Sequence, residues 1–198
     1  MQPSDQFAAV LEIFLNSARL QIRYMAVPWT DPRAQLQPPL AQLRSFSACV
    51  DVIEAVFATF NSIPLTDYIG IPFTVYSQLR LCLGMLLHLS TMDCPGWDRM
   101  DVRRRVHVID VADQMIGNFS KASALYSGCD EGSARDDSMA RIASHLKNMR
   151  NAFAGKIEQS DGEGNAFAPT PTSAEDLCLT ELPDMADFLD LDWIGLMG

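Results

Sequence analysis

From Ile71 to Trp97 the chain reads IPFTVYSQLRLCLGMLLHLSTMDCPGW, its most apolar stretch, and this segment restricts the folds open to it. Between Tyr76 and Met92 the residues fit one helix, with Leu79, Leu81, Leu83, Met85, Leu86, Leu87 and Leu89 spread over most of its circumference. A helix that is apolar on nearly every side has to be surrounded by others, because a surface helix carries only a stripe. Ser77, Arg80, Gly84, His88 and Thr91 interrupt it at steps of three, four, four and three, which follow the helical period and trace one narrow polar line. Asp93-Cys94-Pro95-Gly96 then stops the helix, since proline cannot continue it and disfavours helical geometry in the residue before. The segment reads as the central helix of an all-α domain. It does not read as a membrane span, which needs about 20 apolar residues; Gln78, Arg80 and His88 interrupt the run.

With 198 residues, 48% of them hydrophobic, the chain can hold one domain with a proper core and a tail. A secretory leader is not expected, because Ser4 and Asp5 sit where a basic segment would precede the apolar run. Cys49, Cys82, Cys94, Cys129 and Cys178 are odd in number, widely spaced and free of any Cys-x-x-Cys pair. They suit a reducing, intracellular compartment better than a disulfide framework.

The net charge of −10 is concentrated at one end. Residues 1–157 carry 15 Lys and Arg against 15 Asp and Glu, whereas residues 158–198 carry 10 acids and no base. Such asymmetry describes a neutral folded body followed by an interaction segment. It also argues against direct contact with nucleic acid, which requires clustered cations to neutralise phosphates.

In chain order, a first helix fits Asp5 to Met25, with Ser4 as N-cap and Phe7, Val10, Leu11, Phe14, Ala18, Ile22 and Met25 as its apolar face. Pro28, Pro32, Pro38 and Pro39 mark a long turn into a second helix, whose face is Leu40, Leu43, Val50, Ile53, Phe57 and Phe60. A loop from Leu65 to Pro72 leads to the central helix. Asp98 caps a fourth helix reaching Phe119, with Val102, Val106, Ile109, Ala112, Met115 and Ile116 on its apolar side. Ser127 to Asp137, rich in Gly, Ser and Asp, reads as a loop. A fifth helix places Met139, Ile142, Leu146, Met149, Phe153 and Ile157 at steps of three and four. No stretch alternates as a strand would. The expected fold is an all-α, bundle-like domain of about five helices over residues 1–157.

Residues 158–174 turn to Gly, Ser, Thr, Pro and acids, which cannot bury enough apolar surface to offset ordering, and are expected to be a disordered linker. Residues 175–198 interleave acids with Leu177, Leu179, Leu182, Met185, Phe188, Leu189, Leu191, Trp193, Ile194 and Leu196. This alternation is the compositional mark of an acidic activation-type segment. Repulsion between the carboxylates holds the bulky side chains apart, free to fold into a partner's groove. Phe188, Leu189, Leu191 and Trp193 are the residues expected to touch a coactivator. The competing reading makes Met185–Met197 a sixth helix docked on the body.

Catalysis has little to stand on. His88, His107 and His145 each lie inside a predicted helix with no nucleophile beside them, and read as solvated or hydrogen-bonded surface histidines. Cys82, His88 and Cys94 do not make a metal site, because six residues are about 600° of rotation and place Cys82 and His88 on different faces. No glycine-rich phosphate loop is present. Arg103-Arg104-Arg105, beside Arg99, reads mainly as a solvated helix face, with an acidic partner or the acidic tail as the alternative. Arg80 and His88 on the polar line of the central helix are the candidates for an effector pocket.

Leu79 to Val111, LRLCLGMLLHLSTMDCPGWDRMDVRRRVHVIDV, resembles the C-terminal part of fungal zinc-cluster (Zn(II)2Cys6) transcription factors. The likeness lies in the order of a leucine-rich helix ending in a Leu-Ser-x-x-Asp segment (Leu89 to Asp93), Gly96-Trp97-Asp98, Val102-Arg103 and a helix alternating aspartate with hydrophobics. Ile71-Pro72 before the central helix, and Phe188-Leu189-Asp190 with Trp193 in a closing acidic tail, fit as well. The six-cysteine zinc cluster, its basic linker and its coiled coil have no counterpart here. The resemblance therefore implies the tail end of such a regulator: a fragment, a truncated product or a paralogue without its DNA-reading module. It further implies a nuclear protein acting with coactivators or a full-length partner factor, with no DNA or membrane contact of its own. No cofactor is expected, zinc belonging only to the missing cluster. The alternative from another class is a helical interaction or effector-sensing module without activation activity; an enzyme ranks behind both.

Overall fold

The computed structural model of the chain describes residues 3–25, 40–127 and 134–163. They form six α-helices and one 3₁₀-helix, and no strand occurs among the described residues. The helices are α1 (Pro3–Met25), α2 (Leu40–Ser62), α3 (Phe73–Thr91), α4 (Arg99–Arg105), α5 (Val108–Ser127) and α6 (Ala134–Glu163), with the 3₁₀-helix at Leu65–Gly70. The all-α class follows the leucine-rich pattern that pointed to it. Among the described residues, no helix is long and apolar enough to cross a membrane.

Helix α3 is the middle of the core. Val75, Tyr76, Leu79, Cys82, Leu83, Gly84, Met85, Leu86, Leu87, Leu89 and Ser90 are buried, on all sides of the helix axis, as an all-round apolar sequence requires. Helices α1, α2, α4, α5 and α6 all pack against it. Buried residues of α2 (Phe46, Cys49, Val50, Ile53, Val56, Phe57, Phe60) fall at steps of three and four, and so do Met139, Ile142, Leu146 and Phe153 of α6. Leu40, expected on the inner face of α2, is exposed at the helix start.

Five expectations are corrected. The helix predicted from Asp98 to Phe119 is two helices, because the backbone is extended at Val106 (φ −139°, ψ 99°) and α5 starts afresh at Val108. The predicted loop Leu65–Pro72 contains the 3₁₀-helix, tied by amides of Asp67 and Ile71 donating to the carbonyls of Pro64 and Tyr68. Helix α6 begins at Ala134, within the predicted 127–137 loop, and runs to Glu163, six residues into the predicted 158–174 linker. The predicted α1 face is rotated. Ile13, Ser17, Leu20 and Tyr24 are buried, whereas Phe7, Leu11, Ala18 and Ile22 face solvent. Val10 and Phe14 of the predicted face are partly buried against the core, and Ser17 on the buried side lies against Cys82 of α3. Ser4 lies inside the first turn rather than capping it, Pro3 being the first helical residue. The proline-rich turn, the remainder of the linker and the acidic tail lie outside the described residues.

Candidate functional site

Of the residues carrying the family resemblance, Trp97 and Arg103 meet at the C-terminal end of α3. A helix end leaves its last four carbonyls without intrahelical donors, and a buried end needs others. Here three of the four, those of His88, Leu89 and Ser90, are supplied. The Met92 amide donates to the His88 carbonyl at 2.9 Å. The Trp97 indole N–H donates to the Leu89 carbonyl at 2.8 Å, and Arg103 Nε donates to that of Ser90 at 2.9 Å.

The chain reaches this geometry through local chemistry. Cys94–Trp97 is a tight turn closed by the Trp97 amide on the Cys94 carbonyl at 3.0 Å, with Pro95 and Gly96 in its middle. Gly96 has φ +80°, the left-handed value that the third position of a type II turn requires. A side chain there would also meet Leu43 Cδ1 at 3.3 Å. The turn drops the Trp97 ring edge-on to Phe46 of α2, centroids 5.3 Å apart. Asp98 then caps α4, accepting from the amides of Met100 and Asp101 at 2.9 and 3.0 Å. That cap aims Arg103, one turn on, back at α3.

Arg103 is a buried cation with every nitrogen engaged. Besides Ser90, its guanidinium donates to both Asp161 oxygens at 2.7 and 3.0 Å and to the Ser160 hydroxyl at 2.8 Å. One side chain thus joins the end of α3, α4 and the last turn of α6. The triple-arginine run is therefore divided in role. Arg104 and Arg105 are both exposed, Arg105 pairing with Asp51 and Glu54 of α2, each at 2.7 Å, and Arg104 with Asp101 on its own helix. The reading of the run as mainly a solvated face is corrected for Arg103 alone. Sequence signal for this clamp was limited to the Leu-Ser-x-x-Asp, Gly-Trp-Asp and Val-Arg pattern, which includes Ser90; Asp161 gave none.

The polar line of α3 does not form one surface. Ser77 is exposed, Gly84 is buried, and Arg80, His88 and Thr91 are half-buried. His88 meets Tyr24 of α1 edge-on at 6.1 Å, while Arg80 lies close enough to His145 of α6 to act on its charge. Arg80 and His88 thus touch different neighbouring helices, two turns apart. Burial lowers the pKa of His88, and burial with the Arg80 charge lowers that of His145, so both rings are held neutral. His88 and His145 are half-buried rather than solvated. His107 remains half-exposed, 3.6 Å from Asp110.

Burial pushes the Cys49 thiol to about 11 and the Cys82 thiol to about 12, values at which neither is nucleophilic. Among the described residues, no three His, Cys, Asp or Glu side chains group as a metal ion would need. Phe188, Leu189, Leu191 and Trp193 lie outside the described residues.

A family model described as a C-terminal domain matches residues 65–197, which include α3, the clamp and the acidic tail. "Transcription factor opdL" of Penicillium oxalicum is 23% identical over 194 residues, covering 98% of this chain and 33% of that protein. A second relative, "Transcription factor" of Aspergillus terreus, is 28% identical over 120 residues, covering 59% of this chain and 20% of that protein. The chain spans about a third of the length of the one and about a fifth of the other. No solved structure matches it.

Proposed function

We propose a function from one premise: the chain belongs to this family of C-terminal domains, a region of fungal transcription factors. It regulates transcription, in the nucleus, as the regulatory and activation portion of such a factor. Residues 175–198 recruit a coactivator through Phe188, Leu189, Leu191 and Trp193, residues 164–174 serve as the linker, and the helical body restrains the segment. The observation that supports this most is the division of charge at the end of α6. Of the 10 acids beyond residue 157, Asp161 is taken up by Arg103, and the seven after Glu163 are left interleaved with aromatic and aliphatic side chains. DNA recognition is left to a partner factor, since the surface cations Arg105 and Arg150 are already paired with acids of α2 and α5.

The test fuses residues 158–198, with and without the body, to a foreign DNA-binding domain and reads a reporter gene. Strong activation by the short fusion, reduced by the body and lost on replacing Phe188, Leu189, Leu191 and Trp193 with alanine, is the expected result. Silence of both fusions overturns it. A second reading, an effector-sensing module centred on Arg80 and His88, draws on the half-burial of both against α6 and α1. Ligand-induced change at these helices without reporter activity would favour that reading.

A further inference from the structure

Helix α1 leaves an apolar stripe in solvent on the side away from its buried face. Phe7, Leu11, Leu15, Ala18 and Ile22 recur at steps of four, four, three and four, and Phe7 and Ile22 are each 70% exposed. Single exposed hydrophobics are ordinary, but a contiguous line of them along about 22 Å of helix marks an interaction surface. Arg19 and Arg23 are exposed along one flank of its C-terminal half.

One segment of this same chain has the matching pattern. Leu182, Met185, Leu189, Trp193 and Leu196 recur at steps of three, four, four and three, and on a helix Asp190 and Asp192 would flank that line. With Pro183 as first helical residue, a helix to Leu196 would cover about 20 Å, close to the length of the stripe, and its flanking acids Asp190 and Asp192 suit the arginine flank. The two are tethered within reach. Arg103 pins Asp161, near the end of α6, to Ser90 in the last turn of α3, and Tyr24, near the end of α1, meets His88 in that same turn. Residues 164–181 then separate Glu163 from Leu182, and a random coil of that length spans about 23 Å on average.

We infer that Leu182–Leu196 docks on the exposed stripe of α1, an intramolecular contact that withholds Leu189 and Trp193 from a partner. The inference rests on the activation reading only in what it says of the partner; the contact itself stands on the two matching surfaces. A tethered segment binds at the high effective concentration its linker sets, so even a weak contact is populated. A coactivator then competes with α1 for one set of side chains.

Hydrogen exchange on the full chain tests it, comparing wild type with Leu11→Asp/Ile22→Asp, both at solvent-facing positions, and with Trp193→Ala. Expected is protection of amides 182–196 by roughly tenfold in wild type, lost in the α1 variant, with α3 and α5 protection unchanged. Trp193→Ala in turn raises exchange in α1. Equal exchange of the segment in wild type and the α1 variant overturns the inference. So does protection that vanishes on dilution together with a dimer in sedimentation, which would assign the stripe to a second copy. In the reporter assay, the α1 variant increases activation by the full chain. A segment that docks by exchange yet never activates would sink the proposed function and leave the docking standing.

Discussion

The two ends of α3 are fixed by opposite means. Near its start, Tyr76 joins Phe60, Tyr68 and Phe119 in an aromatic cluster with centroids 5.2 to 6.0 Å apart. The polar tips are few and resolved inward: the Tyr76 hydroxyl donates to the Tyr68 carbonyl at 2.8 Å, and the Asn118 amide donates to the Tyr68 hydroxyl at 3.2 Å. At its finish, the work is done by Trp97, Asp98 and Arg103, through directed hydrogen bonds to carbonyls and carboxylate. Ring packing is large in energy and loose in direction, whereas the clamp is smaller in energy and strict in geometry. The first end holds the helices together; the second sets where α4 begins and joins it and the last turn of α6 to the end of α3.

The comparison predicts unequal responses. Phe119→Ala empties the middle of the aromatic cluster and should cost about 3–5 kcal/mol, seen as a lower urea midpoint with all helices lost together. At the clamp, Asp161→Ala strands a guanidinium whose side chain is only 7% exposed, and should cost about 3 kcal/mol. Arg103→Met should cost less, about 2 kcal/mol, because the carboxylate it leaves behind is 51% exposed and water can take over. That order, acid removal worse than base removal, separates a buried charge from a generic contact; equal losses would break the distinction. Hydrogen exchange should show the last turn of α6 opening in both clamp variants before the rest.

How legible the two ends were follows from the same contrast. Burial of Leu79, Leu83 and Leu86 could be read from composition alone, because apolar periodicity reports a local property of the helix. Capping by Asp98 was legible for the same reason, its acceptors lying two and three residues on. The clamp was not, since Arg103 meets Ser90 and Asp161 across 13 and 58 residues and a triple-arginine run gives no hint which member turns inward. The break at Val106 went unseen because Val102, Val106 and Ile109 keep helical spacing straight across it. On α1 the period was right and the phase wrong. That phase belongs to tertiary packing, in which Ser17 lies against Cys82 of α3.

A milder perturbation of the clamp is removal of its cap. Asp98→Ala takes away an acceptor for two amides at an exposed helix start and should cost about 1 kcal/mol. Its use is in sharpening the comparison. If α4 only serves to aim Arg103, exchange should rise at α4 and at the end of α6 but not at the aromatic cluster.

The smallest effect expected is on pH. His88 lies in the last turn of α3 and His145 against Arg80, and both take up a proton less readily than the ordinary 6.5, burial being the first cause in each. The unfolded chain protonates both rings near that value while the folded chain resists, so unfolding binds protons. Stability is then fully present above 6.5 and declines as the pH is lowered below it. Urea midpoints at about pH 7.5 and about pH 5.5 measure this in a range where carboxylates remain ionised. His88→Gln should narrow the gap between the two midpoints, and adding His145→Gln should narrow it again. A wild-type midpoint that rises on acidification would mean that the rings gain a charge partner on folding, contrary to their burial between helices.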